Sequence, residues 1–536
     1  MAYRVLVSDK LAAEGLAILE AQPEVEVDNR PGLAPDELLG CIADYDGLVI
    51  RSGTKVTAEV IEAAAKLKVV GRAGIGVDNV DVPAATRRGI VVMNTPGGNN
   101  TTTAEHAISL LLASARHIPQ AYKSLTGGKW ERSKFTGTEV SGKTLGVVGL
   151  GNIGRIVADR GAGLAMKVLA YDPFVTPDKA PLDAELVDLD ELYARADFVT
   201  VHVPLTNDTR GLIDASAIAK MKDGVRIVNC ARGGIVDEEA LAEGIRSGRV
   251  AGAALDVFET EPPPEDHPLL QLPEVVVTPH LGASTGEAQV NVAVAIAEQV
   301  SAYLQRGAIT AAINMPALTP EQREALGPYL TLGEKIGSFA AQLAANEKGA
   351  AAGTPVRVAI EYQGDVVDLG TKTITTGVLR GLLRPILGDD LNYVSAPAVA
   401  RERGIEVEET TSMKASDFRN RISVRVDFAG GVSHEIAGAV FAGRFARIVK
   451  INDFFLEAEP EGTLLMLHNR DVPGVVGKVG TLLGVNGVNI ARLELGRKGE
   501  NAVSLFHVDG AVPDEVLAQL AQAPEVVSVG LIRFED

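Results

Sequence analysis

The sequence predicts an α/β protein of several domains. Two doubly wound parallel sheets come first, then an α+β accessory domain, then a ferredoxin-like half-sandwich. Three observations predict it. Residues 3–94 alternate short apolar strands with helix-periodic segments. Residues 143–172 run strand, glycine turn, helix and second strand without a break. Residues 463–536 read β-α-β-β-α-β. A chain of 536 residues is too long for one core, and 46% apolar with 23% charged residues is ordinary globular composition. A net charge of −19 argues against nucleic acid or an anionic membrane surface as partner, so an anionic ligand would need local arginines. No uncharged apolar run is long enough to span a bilayer, and Met1-Ala-Tyr-Arg4 leads straight into a strand. Cys41 and Cys230 give no disulfide framework, and a cytoplasmic location is expected.

In the first unit, strands are expected at 3–7, 25–28, 47–51, 68–70 and 90–93, with helices at 11–21, 35–43 and 57–67. This gives a small flavodoxin-like sheet without a glycine fingerprint. Arg51-Ser-Gly-Thr54 and Arg72-Ala-Gly-Ile-Gly-Val-Asp78 each follow a strand, on the edge where α/β sheets place ligands. One arginine alone reads as a solvated loop charge. Two at equivalent strand ends point to an anion clamp, because guanidinium grips carboxylate or phosphate bidentately. Turn formers over 93–100 and a helix from Thr101 to about Arg116 mark a crossing into the next domain. Trp130, flanked by cations, has two readings: an interface anchor or a covered core residue.

The second unit carries the dinucleotide signature. After the apolar run 145–148 comes Gly149-Leu-Gly-Asn-Ile-Gly154, then a helix, a strand over 167–171, and Asp172, 18 residues past Gly154. One glycine makes the tight turn, one admits the pyrophosphate, and one lets helix and strand pack. The helix N-terminus offers unpaired N–H groups to phosphate. Asp172 suits a ribose diol and repels a 2′-phosphate, which favours NAD over NADP. Further strands end at His202, Arg232, Asp256 with Glu261, and His280, all on the cofactor edge. A helix from Glu287 to about Arg306 is placed to return to the first domain, giving a clamp with a cleft between its halves.

Oxidising a carbinol with NAD requires that the hydroxyl proton leave with the hydride. Histidine, with an unperturbed pKa of about 6.5, suits that task. A carboxylate on its other nitrogen fixes the tautomer, and an arginine beside the reacting carbon holds a carboxylate and polarises the nascent ketone. Singly, each residue has a bland alternative: a loop histidine, a turn-capping Glu261, an Arg232 paired with Asp237. His202 is a rival base. Together on successive strand ends, Arg232, Glu261 and His280 point to a dehydrogenase. The middle segment, 318–457, shows strands at 355–362, 421–428 and 431–436 and no catalytic motif. Its basic run Arg444-Phe-Ala-Arg-Ile-Val-Lys450 reads as an exposed charged strand before an anion site.

The glycine loop, Asn229-Cys-Ala-Arg-Gly-Gly-Ile-Val-Asp237, Ala254-Leu-Asp-Val-Phe-Glu-Thr-Glu-Pro262 and Thr278-Pro-His-Leu-Gly-Ala-Ser-Thr285 resemble the D-isomer-specific 2-hydroxyacid dehydrogenases. The segment 72–81 and Lys129-Trp-Glu-Arg132 narrow the resemblance to the long-form members acting on 3-phosphoglycerate. Asp471-Val-Pro-Gly474 and Gly487-Val-Asn-Ile490 look like an ACT domain, and the middle segment resembles the intervening, allosteric-substrate-binding domain. The resemblance implies a substrate domain (1–98 and 286–317), a Rossmann NAD domain (99–285), an intervening domain (318–457) and an ACT domain (463–536). It implies Arg232, Glu261 and His280 as the catalytic set. It gives the NAD contacts as Gly149, Gly151, Asn152, Ile153, Gly154, Asp172, Val203, Pro204, Thr209, Cys230, Ala231, Asp256, Leu281, Gly282, Ala283 and Ile75. Substrate would meet Arg51, Arg72, Gly74 and Asn99, with Arg132 or Lys134 from a neighbouring subunit. Asn469, Asp471 and Asn489 would form an L-serine site between subunits of a homotetramer. Asn469 stands where serine-responsive relatives usually carry histidine or an aromatic residue. No metal is implied. Competing expectations are a reductase of glyoxylate, hydroxypyruvate or 2-oxoglutarate, and a non-catalytic NAD sensor.

Overall fold

The computed structural model describes residues 2–176, 184–316, 320–346, 354–388, 391–413 and 418–534. The boundary expected at 317/318 and the chain end at 535–536 lie outside these residues.

The first sheet has the spatial order Val25–Asn29, Tyr3–Val7, Gly47–Ile50, Val69–Arg72, Val91–Met93, all parallel. Its central strands are buried on both faces, which is why they read as unbroken apolar runs. One face is covered by Gly286–Arg306, whose Val292, Ile296 and Val300 join Val5, Val49 and Val69 in one core. Asn314 then ties the returning chain down, accepting from the Val92 N–H (2.9 Å) and donating to the Ile90 carbonyl (2.8 Å). The chain therefore crosses between the two sheets near residue 100 and again near 285.

The second sheet is seven-stranded and parallel, in the order Val275–Val277, Val250–Leu255, Val225–Asn229, Phe198–Val201, Thr144–Val148, Lys167–Tyr171, Ala184–Leu186. Strand order reverses between Thr144–Val148 and Phe198–Val201, the switch point where doubly wound sheets bind ligands.

The third sheet has six strands, with Pro355–Gly364 parallel to the edge strand Glu406–Ser412 and the remaining pairs antiparallel. The edge strand is absent from the sequence reading because EVEETTS has no apolar alternation; charged, exposed residues are what an edge tolerates. The run 444–450 lies partly on a strand, Phe445–Ile451, and its charges are internally matched. Arg447 pairs with Glu459 (2.6 Å), Lys450 with Glu435 (2.6 Å), and Arg444 lies over the Phe445 ring.

The last sheet is antiparallel, ordered Asn489–Lys498, Asn501–Asp509, Thr463–Arg470, Val526–Arg533, with helices Val475–Val485 and Asp514–Ala521 on one face. Strand alternation splits its core. Leu465 and Leu467 pack among those helices, while Leu464 and Met466 join the core of the third sheet. The central strand of the half-sandwich is thus buried on both faces. Among the described residues no helix is long and apolar enough to cross a membrane.

Candidate active site

The glycine loop is shaped for a dinucleotide. Gly149 closes the strand with φ +95°, and a Cβ there would stand 2.6 Å from the His202 carbonyl oxygen. A Cβ on Gly154 would lie 1.8 Å from the Gly149 oxygen, so helix Asn152–Gly163 sits against the turn only because both are glycine. Gly151 has nothing within 4 Å of its Cβ position, leaving the helix N-terminus open to phosphate. Asp172 accepts from the N–H groups of Leu150 (2.8 Å) and Phe174 (2.9 Å), which fixes its carboxylate at the end of the neighbouring strand. Val203 packs on Gly149, and Thr209 donates to the Pro204 carbonyl (2.5 Å), closing the adjoining loop. The Ala231 N–H donates to Asn229 (3.0 Å), and Cys230 is buried, which holds its thiol protonated by raising its pKa. Ile75, on the first domain, accepts through its carbonyl from Asn94 (2.6 Å). A cradle that side chains would fill, a free helix end and a strand-end aspartate fit NAD.

Three successive strand ends carry Arg232, Asp256 with Glu261, and His280. His280 Nδ1 lies 2.7 Å from Glu261 Oε2, and Glu261 Oε1 accepts from the Phe258 N–H (3.1 Å). The Glu261 hydrogen bond raises the His280 pKa against the opposing effect of burial. Burial pushes Glu261 up, but the bonds from His280 and the Phe258 N–H hold it below its ordinary value. His280 has φ +55°, a left-handed conformation rare for a non-glycine residue, which calls for surrounding structure to hold it.

Arg232 reaches across to the first domain, its Nε 3.0 Å from Asp78 Oδ2, and a Cβ on Gly76 would overlap its guanidinium. Arg72 is largely buried, its Nε without a hydrogen-bond partner. Burial and the charges of Arg232 and Arg51, offset in part by Asp78, push it down to about 10. A cavity of about 590 Å³ joins the two domains, lined by Arg51, Arg72 and Gly74 on one side and Asp256, Glu261, His280 and Ala283 on the other. An anion in it would relieve the mutual repulsion of the arginines.

Other candidates separate from this group. His202 is no rival base: its ring is buried, its Nε2 lies 2.9 Å from Thr200 Oγ1, and burial lowers it to about 4. Asn99 is buried at the start of helix Asn100–Ala115, its amide 3.5 Å from Thr103 Oγ1. Lys134 pairs with Glu131 (2.6 Å), and Arg132 lines a separate shallow pocket with Trp130, so neither reaches the cavity of its own chain. Trp130 is 77% exposed, which excludes the core reading. Asn469 is buried and donates to the Arg470 carbonyl (2.7 Å), and Asp471 pairs with Arg497 (2.5 Å). Asn489 lies at the opposite end of the last sheet, paired in register with Asp509, whereas Asn469 pairs with Ala502. One chain does not bring the three together.

The profile of the D-isomer specific 2-hydroxyacid dehydrogenase, NAD binding domain, matches residues 108–282; that of the D-3-phosphoglycerate dehydrogenase intervening domain matches 325–452; and an ACT domain matches 463–525. A D-3-phosphoglycerate dehydrogenase of Archaeoglobus fulgidus is 44% identical over 536 residues, covering 99% of this chain and 100% of its own. One from Bacillus subtilis is 42% identical over 99% of each chain. The chain belongs to the D-3-phosphoglycerate dehydrogenase family. Among solved structures, a glyoxylate reductase from Paecilomyes thermophila matches with TM-score 0.54 and 31% identity over 60% of this chain and 99% of its own. A Staphylococcus aureus NAD-dependent formate dehydrogenase in complex with NAD matches with TM-score 0.51 and 30% identity over 56% and 95%.

Several residues of the site escape sequence reasoning. Asp78 stands inside the quoted motif, but its partner Arg232 is far along the chain. Asp9 holds the Arg51 loop, accepting from the N–H groups of Arg51 (2.6 Å) and Thr54 (3.1 Å). From helix Asn100–Ala115, Thr103 bonds the Gly282 carbonyl in the loop after His280, and His106 reaches Asp256 and Thr278. The available signal was spacing: they fall on the face of Ala107 and Leu110, polar residues in a buried stripe.

Proposed function

We propose that this chain catalyses the NAD-dependent oxidation of 3-phospho-D-glycerate to 3-phosphooxypyruvate, the first step of the phosphorylated route to L-serine. The observation that carries the proposal is the convergence of Arg51, Arg72 and the His280–Glu261 pair on one interdomain cavity, with Arg232 beside Arg72. Residues 1–98 with 286–317 are assigned to substrate and 99–285 to cofactor, 318–457 being the intervening domain and 463–536 the ACT domain. The glycine loop, with Asp172 at the ribose, would hold NAD, and the bound cofactor would supply the hydride acceptor for the carbinol carbon. His280 takes the hydroxyl proton on Nε2, since Nδ1 is committed to Glu261. Glu261 sets that tautomer and steadies the imidazolium. Arg232 holds the carboxylate and polarises the forming carbonyl, leaving Arg51 and Arg72 for the phosphate. Soluble, cytoplasmic operation fits the acidic surface. L-serine as effector and a homotetramer fit the placement of Asn489, which a partner subunit would have to bring to Asn469 and Asp471.

Two measurements test the reading. Arg72→Gln is expected to lower kcat/KM for 3-phosphoglycerate about 10–100-fold, the worth of one charged hydrogen bond, while leaving D-glycerate unchanged. Equal losses on both substrates, or wild-type preference for an unphosphorylated acid, would move the reaction to another member of the superfamily. The pH profile tests the base. Oxidation needs neutral His280, so the rate declines as pH falls through a pKa that Glu261 keeps raised. Glu261→Gln removes that support, and the acid limb is expected to move to lower pH with a smaller kcat.

A further inference from the structure

We infer that His106 is a positioning residue for the reaction, acting through Asp256 on the backbone that carries His280. Asp256 is 1% exposed and gathers the loop by three consecutive N–H groups. Its carbonyl accepts from His280 (2.9 Å), Oδ1 from Leu281 (2.7 Å) and Oδ2 from Gly282 (2.7 Å). These bonds hold the left-handed turn at His280. A buried carboxylate directs a loop only if its own orientation is fixed, and two donors fix it. The Thr278 hydroxyl donates to Oδ1 (2.6 Å), and His106 Nε2 lies 3.1 Å from both Oδ1 and Thr278 Oγ1.

His106 belongs to helix Asn100–Ala115, which starts at the first interdomain crossing. Two further side chains of that helix grip the same loop: Thr103 Oγ1 donates to the Gly282 carbonyl (2.9 Å), and Thr102 Oγ1 lies 3.2 Å from Thr285 Oγ1. Thr285 caps the helix that makes the second crossing. Both crossings are therefore tied to the loop after His280, and His106 is the tie that ends on a charge. His280 faces Glu261, Asp256 and Arg232. If Asp256 turns, the first effect falls on the hold of Glu261 on the imidazole, not on the arginines that bind the substrate.

The inference rests on His280 being the base, and the experiment separates the two. His106→Phe, which keeps the ring volume and removes the donor, is expected to lower kcat about 10–100-fold, the scale of a small misplacement of reacting groups, with KM for 3-phosphoglycerate nearly unchanged. The acid limb of its pH profile is expected to move to lower pH, and His106→Gln, whose amide N–H reaches the same oxygen, to restore most of kcat and the limb. Thr278→Val supplies the second donor variant if His106→Phe does not fold. Its expected signature is the same: lower kcat, a shifted acid limb and an unchanged KM. Wild-type kcat and limb in either folded variant overturn the inference, as does a loss that follows thermal stability and that His106→Gln leaves unrepaired. Turnover retained by His280→Ala would instead overturn the assignment of the base.

Discussion

Replacing His280 by alanine is expected to lower kcat for 3-phosphoglycerate oxidation about 10²–10⁴-fold, the ordinary worth of a positioned general base. Among the described residues His280 is the one histidine lining the cavity. Glu261 is spent on the imidazole and the Phe258 N–H, and His202, the other histidine after a strand, is buried against Thr200 and stays neutral. The substituted side chain is half exposed, and the Asp256 bonds to the loop run through backbone N–H groups that alanine keeps. NADH affinity, measured by fluorescence titration, is expected to remain within a few-fold of wild type. A kcat within threefold of wild type would remove His280 from the chemistry.

Arg232→Gln is expected to cost about 10²–10³-fold in kcat/KM, the loss typical of removing one preorganised donor from a developing oxyanion. Among the described residues its ionic partner across the cleft is Asp78, which is 71% exposed, so leaving that carboxylate unpaired costs little stability. The substitution therefore separates catalysis from folding: melting temperature holds while turnover falls. Arg232→Lys keeps the charge but loses the planar fork, and is expected to recover only part of the rate. Full activity in the glutamine variant, measured by initial rates over a range of substrate concentrations, would place the carboxylate elsewhere.

What the sequence discloses is what local chain geometry dictates. The turn at Gly149, the contact at Gly154 and the strand-end Asp172 are all fixed within one βαβ unit, and the motif states them directly. Arg232, Glu261 and His280 follow apolar strands, so their arrival on one sheet edge is legible without coordinates. Side-chain partners distant in sequence are not. Asp78 with Arg232, and His106 with Asp256, depend on how two sheets and a crossing helix dock. His202 shows the same limit from the other side. It follows a strand just as His280 follows one, yet its ring turns back to Thr200 on its own strand. The strand Glu406–Ser412 is not legible because a polar edge carries no periodic signal, and the run 444–450 reads as basic because the carboxylates that pair with Arg447 and Lys450 come from Glu459 and Glu435 elsewhere in the sheet domain.

Product stoichiometry reads the reaction itself. Wild-type chain, NAD and 3-phosphoglycerate would be incubated with hydrazine to trap the oxo acid. NADH is followed by its absorbance, and the trapped phosphorylated oxo acid is quantified by mass spectrometry. One NADH is expected for each trapped 3-phosphooxypyruvate. NADH formed only from unphosphorylated 2-hydroxy acids, or NAD bound with no turnover of any of them, would contradict it.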